Sequence, residues 1–137
     1  MPTRILFCGH EFADGYRYTR EWVDANCEDV EVSRCERHEV EAHIASADIA
    51  VPLMTRLGPE LLELGAQGRL KLVLQYGVGL EGVDIDAASS RARVRVARIP
   101  SEKTGNAVST AEMGVYLALA ARRRHNQMQQ SIAERRL

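Results

Sequence analysis

The sequence predicts a doubly wound α/β domain built on five parallel strands, and three observations carry that expectation. Five short apolar runs rich in β-branched residues recur along the chain. The segments between them carry helical patterning. Each of those segments is long enough for the crossover that parallel neighbours require.

The expected strands are Arg4–Cys8, Val30–Ser33, Asp48–Leu53, Leu70–Tyr76 and Val94–Ile99. The expected helices between them are Tyr18–Asn26, Glu36–Ser46, Pro59–Ala66 and Asp86–Arg91. Gly58-Pro59 suits a helix start, because proline at the first helical position gives up no needed hydrogen bond. Leu61, Leu62 and Leu64 then form an apolar face, and Gly65 and Gly68 are expected to end that helix. Ser109-Thr110-Ala111-Glu112 matches a capping box, followed by Met113, Tyr116, Leu117 and Ala120 at helical spacing. A helix running on to Ile132 would span roughly 36 Å at about 1.5 Å per residue. Its far end, with Met128 and Ile132 on one side, would reach past a domain this small. The expected division is therefore a domain over 1–108 and a long connecting helix over 109–137.

Composition narrows the function classes. With 137 residues, 45% hydrophobic and 27% charged, the chain has the balance of one soluble globular domain. No apolar run approaches the roughly 20 residues of a membrane span. The start, Met1-Pro2-Thr3-Arg4 followed by Ile5-Leu6-Phe7-Cys8, lacks a signal-peptide pattern, so a cytoplasmic location is expected. A net charge of -1 argues against nucleic acid as the main partner. Cys8, Cys27 and Cys35 include no C-x-x-C pair and are expected to be reduced structural thiols. His10, His38, His43 and His125 show no metal-ligand spacing. Arg122-Arg123-Arg124 with Arg135-Arg136 forms a basic end, read as a solvated surface near a helix C-terminus.

The stretch richest in chemistry is Gln75-Tyr76-Gly77-Val78-Gly79-Leu80-Glu81-Gly82-Val83-Asp84. Glycines 77, 79 and 82 stand in G-x-G-x-x-G order after a strand, as in a dinucleotide fingerprint. Asp84 and Asp86 count against that reading, because like charge near the helix start repels pyrophosphate. A second reading is a loop of exposed backbone N–H groups, an anion nest suited to a carboxylate. A third is a turn whose glycines serve geometry alone. The first and third strand ends, Cys8-Gly9-His10 and Leu53-Met54-Thr55, lack the aspartates of a phosphorylated receiver. Gly9-His10-Glu11-Phe12 is not the Ser/Thr-rich phosphate loop of a flavodoxin.

Three features occur in order. Leu70-Lys71-Leu72-Val73 leads into Gly77-Val78-Gly79, then comes Val83-Asp84-Ile85-Asp86-Ala87-Ala88, then Val94 through Pro100 followed by Asn106 and Ala111-Glu112. Together they resemble the substrate-binding (catalytic) domain of the D-2-hydroxyacid dehydrogenase family, in particular its members similar to phosphoglycerate dehydrogenase and hydroxypyruvate reductase. A weaker match extends over residues 4 to 125. The resemblance implies a flavodoxin-like sheet in the order 2-1-3-4-5.

It also implies a site. Gly77, Val78 and Gly79 would offer backbone N–H groups to the carboxylate of a 2-keto or 2-hydroxy acid, and Val78 would lie against the nicotinamide of NAD or NADP. The loop Leu53-Met54-Thr55-Arg56 would close over the substrate, with Met54 and Thr55 as contacts and Arg56 expected in solvent. Asn106 matches a polar position near the hinge toward the cofactor, with a turn cap as its plain alternative. The loop Ser101–Gly105 is longer than the common pattern. The family's catalytic arginine, glutamate and histidine are expected beyond Leu137, so the chain alone is expected to be inactive. Its partners would be the small acid, a cofactor domain or a second copy met through the last helix. The alternative from another class is a non-catalytic module that binds a carboxylate or a protein partner.

Overall fold

The computed structural model describes residues 1–136, apart from the side chain of Lys103; Leu137, the last residue of the expected connecting helix, lies outside the described residues. The chain forms two compact units, Met1–Ile99 and the residues from Pro100 on.

The first unit holds five strands, β1 (Thr3–Cys8), β2 (Val30–Cys35), β3 (Ile49–Val51), β4 (Leu72–Gln75) and β5 (Arg95–Arg98). They form one sheet in the order β2-β1-β3-β4-β5, every pair parallel. This is the expected order. The order in which strands are added switches side between β1 and β3, the point of such a sheet beside whose carboxyl edge ligands generally bind.

Alternation along β1 divides the core. Leu6 and Cys8 face one side, with Ala50, Val73 and Cys35 in the same cluster. Ile5 and Phe7 face the other, with Val51 and Leu53. The larger side is covered by α3 (Pro59–Gln67) through Leu62, by the segment 37–46 through Val40 and Ile44, and by the turn after β4 through Ala87 and Ala88. α1 (Ala13–Asn26) contributes Tyr16 to the smaller side.

Several helices differ from expectation for identifiable reasons. α1 starts five residues before Tyr18, after Phe12 in a left-handed conformation (φ 55); its first turns are polar, and no side-chain cap marks its start. Residues 37–46 are not one helix but a 3-10 turn, α2 (Val40–His43) and a second 3-10 turn. The segment read as Asp86–Arg91 is a π-helical turn over Ala87–Ala92, closed by left-handed Arg93 (φ 54). α3 has Pro59 in its first turn, as expected, and is followed by Gly68. That glycine serves close approach: a Cβ there would lie 2.0 Å from the Ala45 carbonyl oxygen.

The second unit holds α4 (Asn106–Arg122) and α5 (His125–Ala133). The expected unbroken helix from Ser109 to Ile132 is corrected at both its start and its middle. Gly105 (φ 66) stands at the N-cap position, and the Ser109 amide donates to the Gly105 carbonyl at 3.1 Å, so Ser109 lies inside the first turns and caps nothing. Left-handed Arg124 (φ 51) separates the two helices. The Arg122-Arg123-Arg124 run thus falls at the carboxyl end of α4, where cations meet the negative end of the helix dipole. No helix among the described residues is long and apolar enough to cross a membrane. The three cysteines are free thiols.

Candidate functional site

The carboxyl edge of the sheet gathers the loops after β1, β3 and β4, and backbone bonds fix the last two to each other. The Leu57 amide donates to the Gly82 carbonyl at 2.8 Å, and the Asp84 amide to the Leu57 carbonyl at 3.0 Å. Gln75, the last residue of β4, donates through Nε2 to the Leu53 carbonyl at 3.1 Å. Segment 53–57 and segment 77–84, both singled out in the sequence, therefore form one edge.

Leu53 is buried and left-handed, with φ 55. A leucine in that region costs about 1–2 kcal/mol, which its packing with Phe7 and Val51 offsets. The kink turns the chain so that Met54 points out, 64% exposed. Thr55 points in: its hydroxyl donates to the Cys8 carbonyl, tying the β3 loop to the end of β1. Arg56 is exposed, as expected.

Behind the next loop, Tyr76 lies against Phe7 and Phe12, with ring centroids 6.2 and 6.4 Å away. Gly15 of α1 makes room for it, because a Cβ there would fall 2.7 Å from the Tyr76 hydroxyl. Gly77 accepts the Ile99 amide at 3.1 Å, and Val78 accepts Arg98 Nη1 at 3.0 Å, both through their carbonyls. The Val78 and Gly79 amides donate to no acceptor among the described residues. No residue from 75 to 84 is left-handed, so the loop lacks the alternation of right- and left-handed residues that curls a chain into a closed nest. It offers two neighbouring open amides instead.

The glycines are needed neither for φ nor for backbone crowding. A Cβ on Gly77 would come no closer than 4.0 Å to any other group, and one on Gly79 would meet only the flexible Glu81 carboxylate, 2.2 Å from its Oε2. The missing side chain of Gly77 leaves open space beside the loop, whereas the Glu81 carboxylate fills the corresponding space at Gly79.

The Asp84 carboxylate accepts the Ala87 amide at 2.8 Å and so occupies the start of the following turn. A pyrophosphate there would face that negative charge, so these residues do not fit a dinucleotide phosphate.

At the end of β1 the Glu11 carboxylate bonds Arg37 and His10 Nε2 lies 3.1 Å from Glu36. The Glu11 carboxyl is held below its usual range, chiefly by its own backbone amide and then by Arg37. Asn106 is the first residue of α4 and belongs to the second unit; its amide lies 3.4 Å from the Thr104 hydroxyl. Among the described residues no cluster of three His, Cys, Asp or Glu could hold a metal ion. Arg98 is the one group at this edge that the sequence did not single out. Only the register, which pairs it with Gln75, brings it to the loop.

Such a sheet is the fold of solved D-2-hydroxyacid dehydrogenases. D-2-hydroxyisocaproate dehydrogenase superposes with a TM-score of 0.70 at 16% identity, over 98% of this chain and 39% of that one. The pyruvate reductase of Chlamydomonas reinhardtii gives 0.69 at 19% identity, over 98% and 39%. The NAD+-bound 3-phosphoglycerate dehydrogenase of Entamoeba histolytica gives 0.62 at 19%, over 73% and 33%.

The catalytic-domain model of the D-isomer specific 2-hydroxyacid dehydrogenases matches residues 12–134, and the chain belongs to that family. The D-3-phosphoglycerate dehydrogenase of Archaeoglobus fulgidus is 37% identical over 86 residues, which are 63% of this chain and 15% of that protein. The chain thus spans well under half the length of each of these relatives.

Proposed function

We propose that this chain is the substrate-binding portion of an NAD(P)-dependent oxidoreductase acting on small D-2-hydroxy acids, with the carboxylate held at Gly77-Val78-Gly79. The observation that carries this reading is the pair of unpartnered Val78 and Gly79 amides beside the open space at Gly77, in a chain whose family match runs through them. Two adjacent N–H donors suit the two oxygens of one carboxylate. Ordering the acid against a fixed loop lowers the entropy cost of reaction, since the reacting carbon is already placed.

Roles follow for the other residues. Met54, exposed on the loop that is bonded to segment 77–84, covers the acid from the opposite side. Thr55 supports that loop from below through Cys8. The nicotinamide supplies hydride exchange at the substrate carbon when bound; Val78 is the residue of the first unit proposed to meet it, and the Asp84 cap leaves its phosphates to other groups. Proton transfer at the substrate oxygen falls to groups that this loop does not contain.

The exposed apolar residues of α4, among them Met113, Val115, Tyr116, Leu117 and Leu119, support a partner surface there, either a cofactor domain or a second copy.

Gly79→Val tests the assignment. Its backbone tolerates a side chain, because only Glu81 has to move. In the polypeptide that carries these residues in its native source, the variant is expected to fold normally and lose 2-keto acid reduction with NADH or NADPH. Turnover equal to the wild type would overturn the assignment of the carboxylate to this loop.

A further inference from the structure

We propose that Cys8 and Cys35 are a redox pair: oxidation by a small disulfide such as oxidised glutathione joins them into a bridge between β1 and β2, and excess thiol reopens it.

Register sets the pair. Cys8 is the last residue of β1 and Cys35 the last of β2, and the two parallel strands place them directly opposite each other. Neighbouring strands run about 4.8 Å apart, within the Cα separation of about 4.4–6.8 Å that a disulfide spans. Both side chains belong to the same buried cluster, so they stand on one face of the sheet. The Cys8 thiol reaches the Leu6 carbonyl at 3.8 Å, a weak bond that rotation about χ1 releases. Cys27, the third free thiol, follows α1 and is not part of that cluster.

Opposed Cβ atoms on parallel strands keep about the strand spacing, whereas a relaxed disulfide holds them about 3.5–4.5 Å apart. The two strand ends must therefore draw together by roughly 0.5–1 Å. A bridge closed under such strain is readily reduced, which makes it reversible.

Access sets the order of events. Cys8 is fully enclosed, whereas Cys35 keeps 6% of its surface exposed at the end of β2, the edge strand. The rest of β2 is exposed or half-buried and pairs with β1 alone, so its end frays readily. The Cys35 thiolate then attacks oxidised glutathione: the S–S bond breaks, a mixed disulfide forms on Cys35, and one glutathione thiolate leaves. The Cys8 thiolate attacks the Cys35 sulfur and expels the second glutathione. Two protein thiols are oxidised, one external disulfide is reduced to two thiols, and the protons pass to the departing glutathiones. Burial holds both protein thiols above their usual range, so the exchange waits on that fraying.

The test treats the folded 137-residue chain with excess oxidised glutathione, alkylates the remaining thiols in denaturant and digests with trypsin without reductant. Cleavage after Arg4, Arg17, Arg20, Arg34 and Arg37 leaves the three cysteines on separate peptides. The expected result is a linked pair of peptides 5–17 and 35–37, with alkylation lost at Cys8 and Cys35 within hours. Excess reduced glutathione should restore both thiols. Cys8→Ser should trap glutathione on Cys35, Cys35→Ser should leave Cys8 unmodified, and Cys27→Ser should bridge as the wild type does. Glutathione retained on Cys35 of the wild type, a bridge that involves Cys27, or Cys8 and Cys35 both still alkylated would overturn the proposal. So would a bridge that survives excess reduced glutathione.

Discussion

Replacing Asp48 with alanine tests the account of how the first unit is held. Asp48 precedes β3 and is buried, and its carboxylate accepts the Arg4 amide at 3.0 Å and Arg69 Nη2 at 2.7 Å. Its backbone adds two bonds at the entry to the sheet: its amide donates to the Arg4 carbonyl of β1, and its carbonyl accepts the amide of Lys71, just before β4. Removing the carboxylate leaves the Arg4 amide without its charged acceptor, a loss of about 1.5–3 kcal/mol. The Arg69 side chain is 29% exposed and also donates to the Pro2 carbonyl, so it turns to solvent and adds only about 0.5–1 kcal/mol. The expected cost is about 2–4 kcal/mol. With a urea dependence of about 1.5 kcal/mol per molar, the midpoint should fall by roughly 1.3–2.7 M.

Trp22, the single tryptophan, lies on α1 and reports on this unit by fluorescence. The Asp48 carboxyl is held below the usual carboxylate range, first by Arg69 and then by the Arg4 amide. A depressed native pKa gives stability that is present above about pH 4 and lost as pH falls through the native value. The gap between wild type and variant should therefore be constant near neutrality and close in acid. An unchanged midpoint at neutral pH, or a gap that does not narrow in acid, would refute the reasoning.

Further outcomes follow from single contacts. Gly68→Ala drives a Cβ into the Ala45 carbonyl and should cost about 2–3 kcal/mol in a thermal melt; a neutral result would mean that the α3 terminus moves freely. Burial, the largest cause, and the neighbouring Cys35 push the Cys8 thiol up to about 12. Stability should then fall as pH rises from about 8.5 toward that value, where the unfolded thiol ionises first, by at most about 1.4 kcal/mol per pH unit. Cys8→Ala should flatten the alkaline limb, and an identical limb would refute the assignment. Arg124→Gly relieves a left-handed arginine at the α4 end and should stabilise the second unit by about 1 kcal/mol, read as slower amide exchange in α4.

The strands were legible as short runs with β-branched residues, buried most fully in β1 and β3 and more exposed in the edge strands β2 and β5, and the sheet order followed from resemblance. Helix boundaries were less so. Phe12, Arg93 and Arg124 adopt left-handed conformations, and side-chain identity gives no warning of them. Ser109 and Glu112 satisfied a capping pattern, yet Gly105 and Asn106 start the helix a turn earlier. At the site, glycine spacing drew attention to residues 75–84, and the resemblance then pointed to Gly77, Val78 and Gly79. The kink at Leu53, which sends Met54 out and Thr55 in, depends on packing against Phe7 and Val51, and Arg98 depends on sheet register. Neither has a sequence signature.

The most direct measurement of the central claim is an amide-resolved NMR titration of the 137-residue chain with D-lactate. The account predicts saturating shifts that begin at the Val78 and Gly79 amides and spread no further than the bonded Leu53–Leu57 segment. Saturating shifts elsewhere with Val78 and Gly79 unmoved would contradict it.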